Sequence, residues 1–280
     1  MQKLLSILSV LGALYLCSCA QTTNSMFKDD RSQLLLVSED ELNKEAKQAY
    51  DEFISQAKAN KTLNADKKFY NRVTQISDRL INVAPQLRPD CKDWAWEINT
   101  IKDPTVNAWC MPGGKICVYT GLNDALNLND DELASIIGHE ISHALKEHSR
   151  EKRSQAAVQS GLTTVAKLFG VKEGTANLAN SAYNVAFAMP FSRDQETESD
   201  KYGLELIYKA GFDPQGSVNA MKKLSEFEKK AQAAEKNNSD IASSFINRIT
   251  STHPASEERC KDLQKLIDEN KLTKLNRDSK

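Results

Sequence analysis

Histidine is scarce in this chain, four residues in 280, and no two cysteines are spaced C-x-x-C. The second absence argues against a cysteine-built zinc knuckle. A surplus of either charge is also missing: Lys and Arg total 37 against 38 for Asp and Glu, a net charge of −1. With no basic excess to neutralise phosphates, the balance argues against a dedicated nucleic-acid binder. There is no internal repeat. The most apolar stretch, Leu4 to Leu16, is too short to cross a bilayer as a helix. What remains is ordinary globular composition, 27% charged and 40% apolar, in a length that allows one large domain or two small ones.

The beginning of the chain differs from the rest. Gln2 and Lys3 form a short polar, positive lead into Leu4–Leu16, the pattern of a signal peptide. Leu16-Cys17-Ser18-Cys19 follows and is similar to a bacterial lipobox, in which Cys19 would carry lipid after cleavage. An ordinary signal cut near Ala20 is the alternative. The expected organisation is a lipoprotein signal peptide over 1–18, a flexible tether over 19–38 and one domain over 39–280. Removal of the signal leaves Cys91, Cys110, Cys117 and Cys260. Four cysteines in an oxidising compartment permit two disulfides in three connectivities, among which spacing does not choose.

From Ser38 the pattern turns helical, with Ser38 and Glu41 as a capping box and Leu42, Ala46, Ala49, Phe53 and Ile54 at helical spacing. A second helix is expected from about Ala65 to Val83, stopped by Pro85. Trp94–Ile101 alternates as a strand, and Ala108–Met111, Pro112-Gly113-Gly114 and Ile116–Tyr119 read as a hairpin. Asp130 or Asp131 should cap a long helix with Leu133, Ile136, Ile137, Ile141 and Leu145 on its apolar side. Residues 156–190, poor in charge, read as loosely packed buried helix, with a membrane-facing or lid role as the alternative. Helices are further expected over Arg193–Ala210, closed by Gly211, over 214–236, and over 254–269 with Pro254 at the first position.

The chemistry concentrates in His139-Glu140-Ile141-Ser142-His143, inside the long helix. Positions four apart share a helix face, so both imidazoles can reach one metal ion while Glu140 stands beside it as a general base. Gly138 leaves room for a close neighbour. His148, five residues beyond His143, should lie roughly 140° round the helix from it, as a surface or second-layer residue. A catalytic zinc needs a third protein ligand and an open position. In Ser192–Asp200, Glu196 and Asp200 share a face. Glu196 is therefore the candidate third ligand and Asp200 the acceptor for a ligand imidazole, while Glu198, on another face, should be solvated.

These segments together resemble the HtpX/BepA/LoiP-type zinc metalloendopeptidases, relatives of the mitochondrial Oma and CAAX prenyl endopeptidases. The resemblance is carried by H-E-x-x-H followed by S-R-x-x-E-x-E-x-D (Ser192 to Asp200), by the run Asn107–Leu122 with its P-G-G, by Asp131-Glu132-Leu133, and by Thr252-His253-Pro254 with Ser256 and Arg259. It spans roughly residues 40–270. The cysteines flanking Pro112–Gly114 depart from the family pattern. The resemblance implies an α+β, mostly helical, gluzincin-type domain in which a small sheet or hairpin packs on the H-E-x-x-H helix, with one Zn²⁺ per chain. It implies that His253 lies near the metal, stabilising an oxyanion or filling the open position at rest; as a residue in its own right it could equally cap a helix. The hairpin, with Asn107, Pro112, Gly113 and Gly114, would offer an edge strand to an extended peptide. Substrates would be unfolded or misassembled envelope proteins, and the lipobox suggests anchorage in the outer membrane facing the periplasm. Two other readings are open: an assembly factor or chaperone with a structural or silent zinc, and a hydrolase of another bond such as an ester.

Overall fold

The computed structural model describes residues 19–20, 23–27, 31–168, 190–236 and 252–275. Two short strands, β1 (Cys19–Ala20) and β2 (Gln33–Leu34), pair antiparallel ahead of helices α1 (Glu39–Ala59) and α2 (Lys67–Val83). Ser38 caps α1 by accepting from the Glu41 N–H, and Glu39, Asp40 and Glu41 complement the positive end of the helix dipole. Asp66 caps α2 in the same way, accepting from the Phe69 N–H.

Two short 3₁₀ turns, Ala84–Gln86 and Pro89–Asp93, lead to a three-stranded sheet of β3 (Glu97–Ile101), β4 (Ala108–Met111) and β5 (Lys115–Tyr119). β5 is central, parallel to β3 and antiparallel to β4, so β4 is an edge. The expected strand from Trp94 begins only at Glu97: Trp94 closes the second 3₁₀ turn, and its ring lies tilted against that of Trp96. The β4–β5 turn needs its glycines. Gly113 and Gly114 hold φ of 77° and 81°, and a Cβ on Gly114 would lie 2.6 Å from the Trp96 ring.

After β5 come α3 (Thr120–Leu126), which the sequence pattern did not suggest, and α4 (Asp130–Leu145). Asn129, rather than Asp130 or Asp131, caps α4, in a full capping box with Glu132. Asn127 closes α3 in the left-handed region and leaves Asn129 extended, so the two aspartates occupy the first turn instead. α4 is buried nearly all round, with Leu133, Ile137, Ile141 and Leu145 in the main core. Around it pack β4, α6 (Arg193–Lys209) and α7 (Gln215–Lys236). α8 (Glu257–Glu269) lies on α6 and α7. It begins at Ser256, whose side chain accepts from the Arg259 N–H, so the expected start at Pro254 is corrected: His253 and Pro254 stay outside the helix.

Two further expectations change. α4 ends at Leu145, Glu147 takes φ 55°, and a new helix, α5 (His148–Leu168), starts at once. The helical projection that turned His148 away from His143 therefore does not apply. Within the segment expected to be a flexible tether, the described residues Thr23, Phe27, Gln33 and Leu35 are buried. Most of the stretch 156–190 lies outside the described residues, as does the signal region 1–18. Cys91, Cys110, Cys117 and Cys260 are free thiols, so neither of the two disulfides that their number permits is formed. Among the described residues no helix is long and apolar enough to cross a membrane.

Candidate metal centre and active site

α4 and α6 cross so closely that each presents a glycine to the other. A Cβ on Gly203 would lie 3.0 Å from the His139 backbone nitrogen, and one on Gly138 would lie 3.3 Å from the Gly203 carbonyl oxygen. The crossing sets Glu196 and Asp200 of α6 directly against His139 and His143 of α4.

The donors converge. His139 Nε2 and His143 Nε2 are 3.0 Å apart, and each is 3.4 Å from an oxygen of Glu196. His253, on the stretch before α8, adds Nδ1 at 2.9 Å from Glu196 Oε1 and 3.4 Å from His139 Nε2. One atom from each of these four residues falls within 4.8 Å of the others. Glu140 stands beside this set, its Oε1 3.6 Å from His253 Nε2. Asn107 is buried at the start of the hairpin, its carbonyl accepting from the Tyr119 N–H, while Pro112 and Gly113 line a small cleft with His143.

The surroundings fix which ring atoms face inward. Asp200 Oδ1 lies 3.1 Å from His139 Nδ1, so that nitrogen keeps its proton, and Nε2, once its own proton is lost, presents the lone pair inward. His143 Nδ1 is likewise engaged away from the set, 2.9 Å from His148 Nδ1. Two imidazole lone pairs, a carboxylate and a further imidazole aimed at one point are a donor set that suits zinc. His143 is also held by Phe191, whose ring stacks on it at 3.9 Å, with the Lys152 ammonium 4.0 Å from that ring's centre. Burial lowers the Lys152 pKa to about 8.

The charges follow from burial and pairing. Burial opposes ionisation of Asp200, but the Arg259 guanidinium outweighs it and lowers the pKa. Burial likewise opposes a charged His139, yet hydrogen bonds to Asp200 and Glu196 push it up to about 10 in the metal-free protein. Burial raises the Glu140 carboxyl above its ordinary value, which suits a group that must take up a proton.

The family model for peptidase family M48 matches residues 70–267. The chain belongs to peptidase family M48. Curated relatives of this M48 chain include the mitochondrial metalloendopeptidase OMA1 of Saccharomyces cerevisiae, 34% identical over 61% of this chain and 47% of its own length. The metalloprotease LoiP of Escherichia coli is 27% identical over 71% of each chain. The beta-barrel assembly-enhancing protease of Yersinia pestis is 24% identical over 63% of this chain and 37% of its own. The chain spans about half the length of the two fungal OMA1 relatives.

Several residues around this donor set escaped the sequence reading. Arg259 grips Asp200 through Nε and Nη2 at 2.6 and 2.7 Å and lies 2.8 Å from Glu196 through Nη1. In the sequence Arg259 stands out only as part of the T-H-P segment. His148 is fully buried behind His143. Glu198, expected in solvent, is 4% exposed, because the N-terminal segment covers that face of α6 and brings Arg31 against it. Only the capped, charge-rich start of α6 hinted at Glu198, and nothing local hinted at Arg31.

Proposed function

We propose that this M48 chain is a zinc-dependent metalloendopeptidase acting on unfolded or misassembled cell-envelope polypeptides. One observation carries the reading: Glu140 lies beside, and outside, a convergent set of His139, His143 and Glu196. A structural zinc site has no use for such a carboxylate.

Zinc, when bound, acidifies a water ligand and polarises the scissile carbonyl. Glu140 takes the proton of the attacking water on its carboxylate and returns it to the leaving amine. Asp200, fixed by Arg259, keeps the His139 proton on Nδ1. The edge of β4, beside α4 and unpaired among the described residues, can hold an extended peptide by main-chain hydrogen bonds, with Asn107 and the turn Pro112-Gly113-Gly114 at its two ends. Recognition of backbone favours unfolded chains over particular sequences. The name of the beta-barrel assembly-enhancing relative supports envelope substrates. Lipid on Cys19 would hold the enzyme at the outer membrane, facing the periplasm. The direct test is cleavage of casein with and without a chelator; no chelator-sensitive cleavage, even from protein carrying a full complement of zinc, would overturn the reading.

A second reading has its own observation. With His253 Nδ1 in the set, the donors number four, as in a closed structural site. An assembly factor with a latent or structural zinc would have that arrangement. In the peptidase reading the same contact is a resting state from which His253 withdraws, so His253→Ala separates the two: the peptidase gains turnover, and the assembly factor stays silent.

A further inference from the structure

Behind His143 runs a chain of polar contacts that leaves the metal set altogether. His143 Nδ1 meets His148 Nδ1 at 2.9 Å, and His148 Nε2 meets Glu198 Oε2 at 2.9 Å. Arg31 then forks onto Glu198, with Nε donating to Oε1 at 2.7 Å and Nη2 to Oε2 at 2.6 Å. The guanidinium also donates to both oxygens of Glu151, which in turn accepts from Gln33 and Gln195. Of these residues only Arg31 and Gln33 come from the segment before α1.

The geometry points to Arg31 as a positioning residue for the metal centre, acting through Glu198 and His148 on the tautomer of His143. The inference rests on the metal-centre reading above. Its logic is a count of protons. A carboxylate paired with Arg31 has no proton to give, so His148 must donate from Nε2. His148 Nδ1 is then a lone pair and accepts from the Nδ1–H of His143. Ser199 Oγ, 3.3 Å from the same His148 nitrogen, can only reinforce this as a donor. The proton on His143 Nδ1 leaves Nε2 bare towards the ligand set, as a metal ligand requires. Asp200 does this directly for His139; for His143 a second imidazole is interposed, and the guanidinium that forks onto Glu198 comes from outside the helical core, with the buried Lys146 ammonium a further cation 3.7 Å from Glu198 Oε1.

Glu198→Gln should reverse the order. The Arg31 fork would claim the amide oxygen and turn the amide NH₂ towards His148 Nε2. His148 would then carry its proton on Nδ1 and force the His143 proton onto Nε2, where the metal needs a lone pair. Ring ¹⁵N spectra of the metal-free full chain read this directly, with four histidines to assign. The wild type should hold His148 as the Nε2–H tautomer, and Glu198→Gln should hold it as Nδ1–H, a change that a merely structural role would not produce. Zinc affinity, by chelator competition, should fall roughly 10–100-fold in both Arg31→Ala and Glu198→Gln. Ser25→Ala, which loosens the same segment at its contact with Glu205, should leave it unchanged. If the wild type binds zinc and neither variant alters affinity or tautomer, the relay is wrong. A wild type that takes up no zinc removes the metal-centre reading itself.

Discussion

Glu140 and Glu196 are both buried carboxylates on neighbouring helices, yet their surroundings give them different work. Glu196 faces three imidazoles and is held well below the ordinary carboxylate range even though burial opposes its charge. Glu140 has His253 beside it and is raised by burial. Glu140→Gln should therefore retain zinc and fold while losing about 10²–10⁴-fold in turnover, since an amide cannot take the water's proton. Metal analysis beside a casein assay checks both halves. For His253→Ala, basal turnover should rise with zinc content nearly unchanged; a fall of about 10²–10³-fold would instead make His253 a donor to the oxyanion. The pair His139 and His143 was legible because helical periodicity alone puts residues four apart on one face. Arg259 and Arg31 were not. A guanidinium reaches its carboxylate across the fold, and sequence spacing carries no record of that distance.

At the level of elements, the site is as good as the crossing of α4 and α6. The sequence suggested this at Gly138, where a missing side chain inside an apolar helix implies a close neighbour, though nothing local said which helix would fill it. The more exacting residue is Gly203, whose absent Cβ would meet the backbone of His139 and Gly138 at 3.0–3.3 Å, and backbone yields less readily than a side chain. Gly203→Ala should cost about 1–3 kcal/mol in denaturant unfolding. It should also weaken zinc binding, because the same displacement draws Glu196 and Asp200 away from the imidazoles. Normal affinity in a destabilised Gly203→Ala protein would mean that the crossing serves stability alone. The break between α4 and α5 was illegible for a related reason. Leu145 to His148 carries no proline or glycine, and Glu147 enters the left-handed region only because the packed ends on either side require it.

Over the whole molecule, a zinc held as proposed would tie α4, α6 and the stretch before α8 together, so removing it should loosen all three. Chelation should lower the melting temperature by about 5–10 °C, as expected for a ligand worth a few kcal/mol in a domain of this size. Calorimetry should find the loss reversed by zinc and not by magnesium. The start of the chain was the part read least well. Polar residues such as Gln21, Thr22 and Asn24 have the composition of a linker, and composition does not reveal that Arg31, Gln33 and the Leu36 backbone find partners on α5 and α6. With lipid on Cys19, as proposed above, Cys19→Ala should move the protein from the membrane to the soluble fraction on fractionation.

The pairing of Cys19 and Ala20 with Gln33 and Leu34 then has a geometric consequence. A lipoprotein on a free twenty-residue leash could sweep a hemisphere of roughly 60–70 Å radius above the bilayer. Here the residue that would carry the lipid is stitched to a strand lying against the domain, and the slack is taken up. The catalytic cleft would ride at a nearly constant height over the membrane, in reach of chains that stall at its surface and out of reach of those that pass further off.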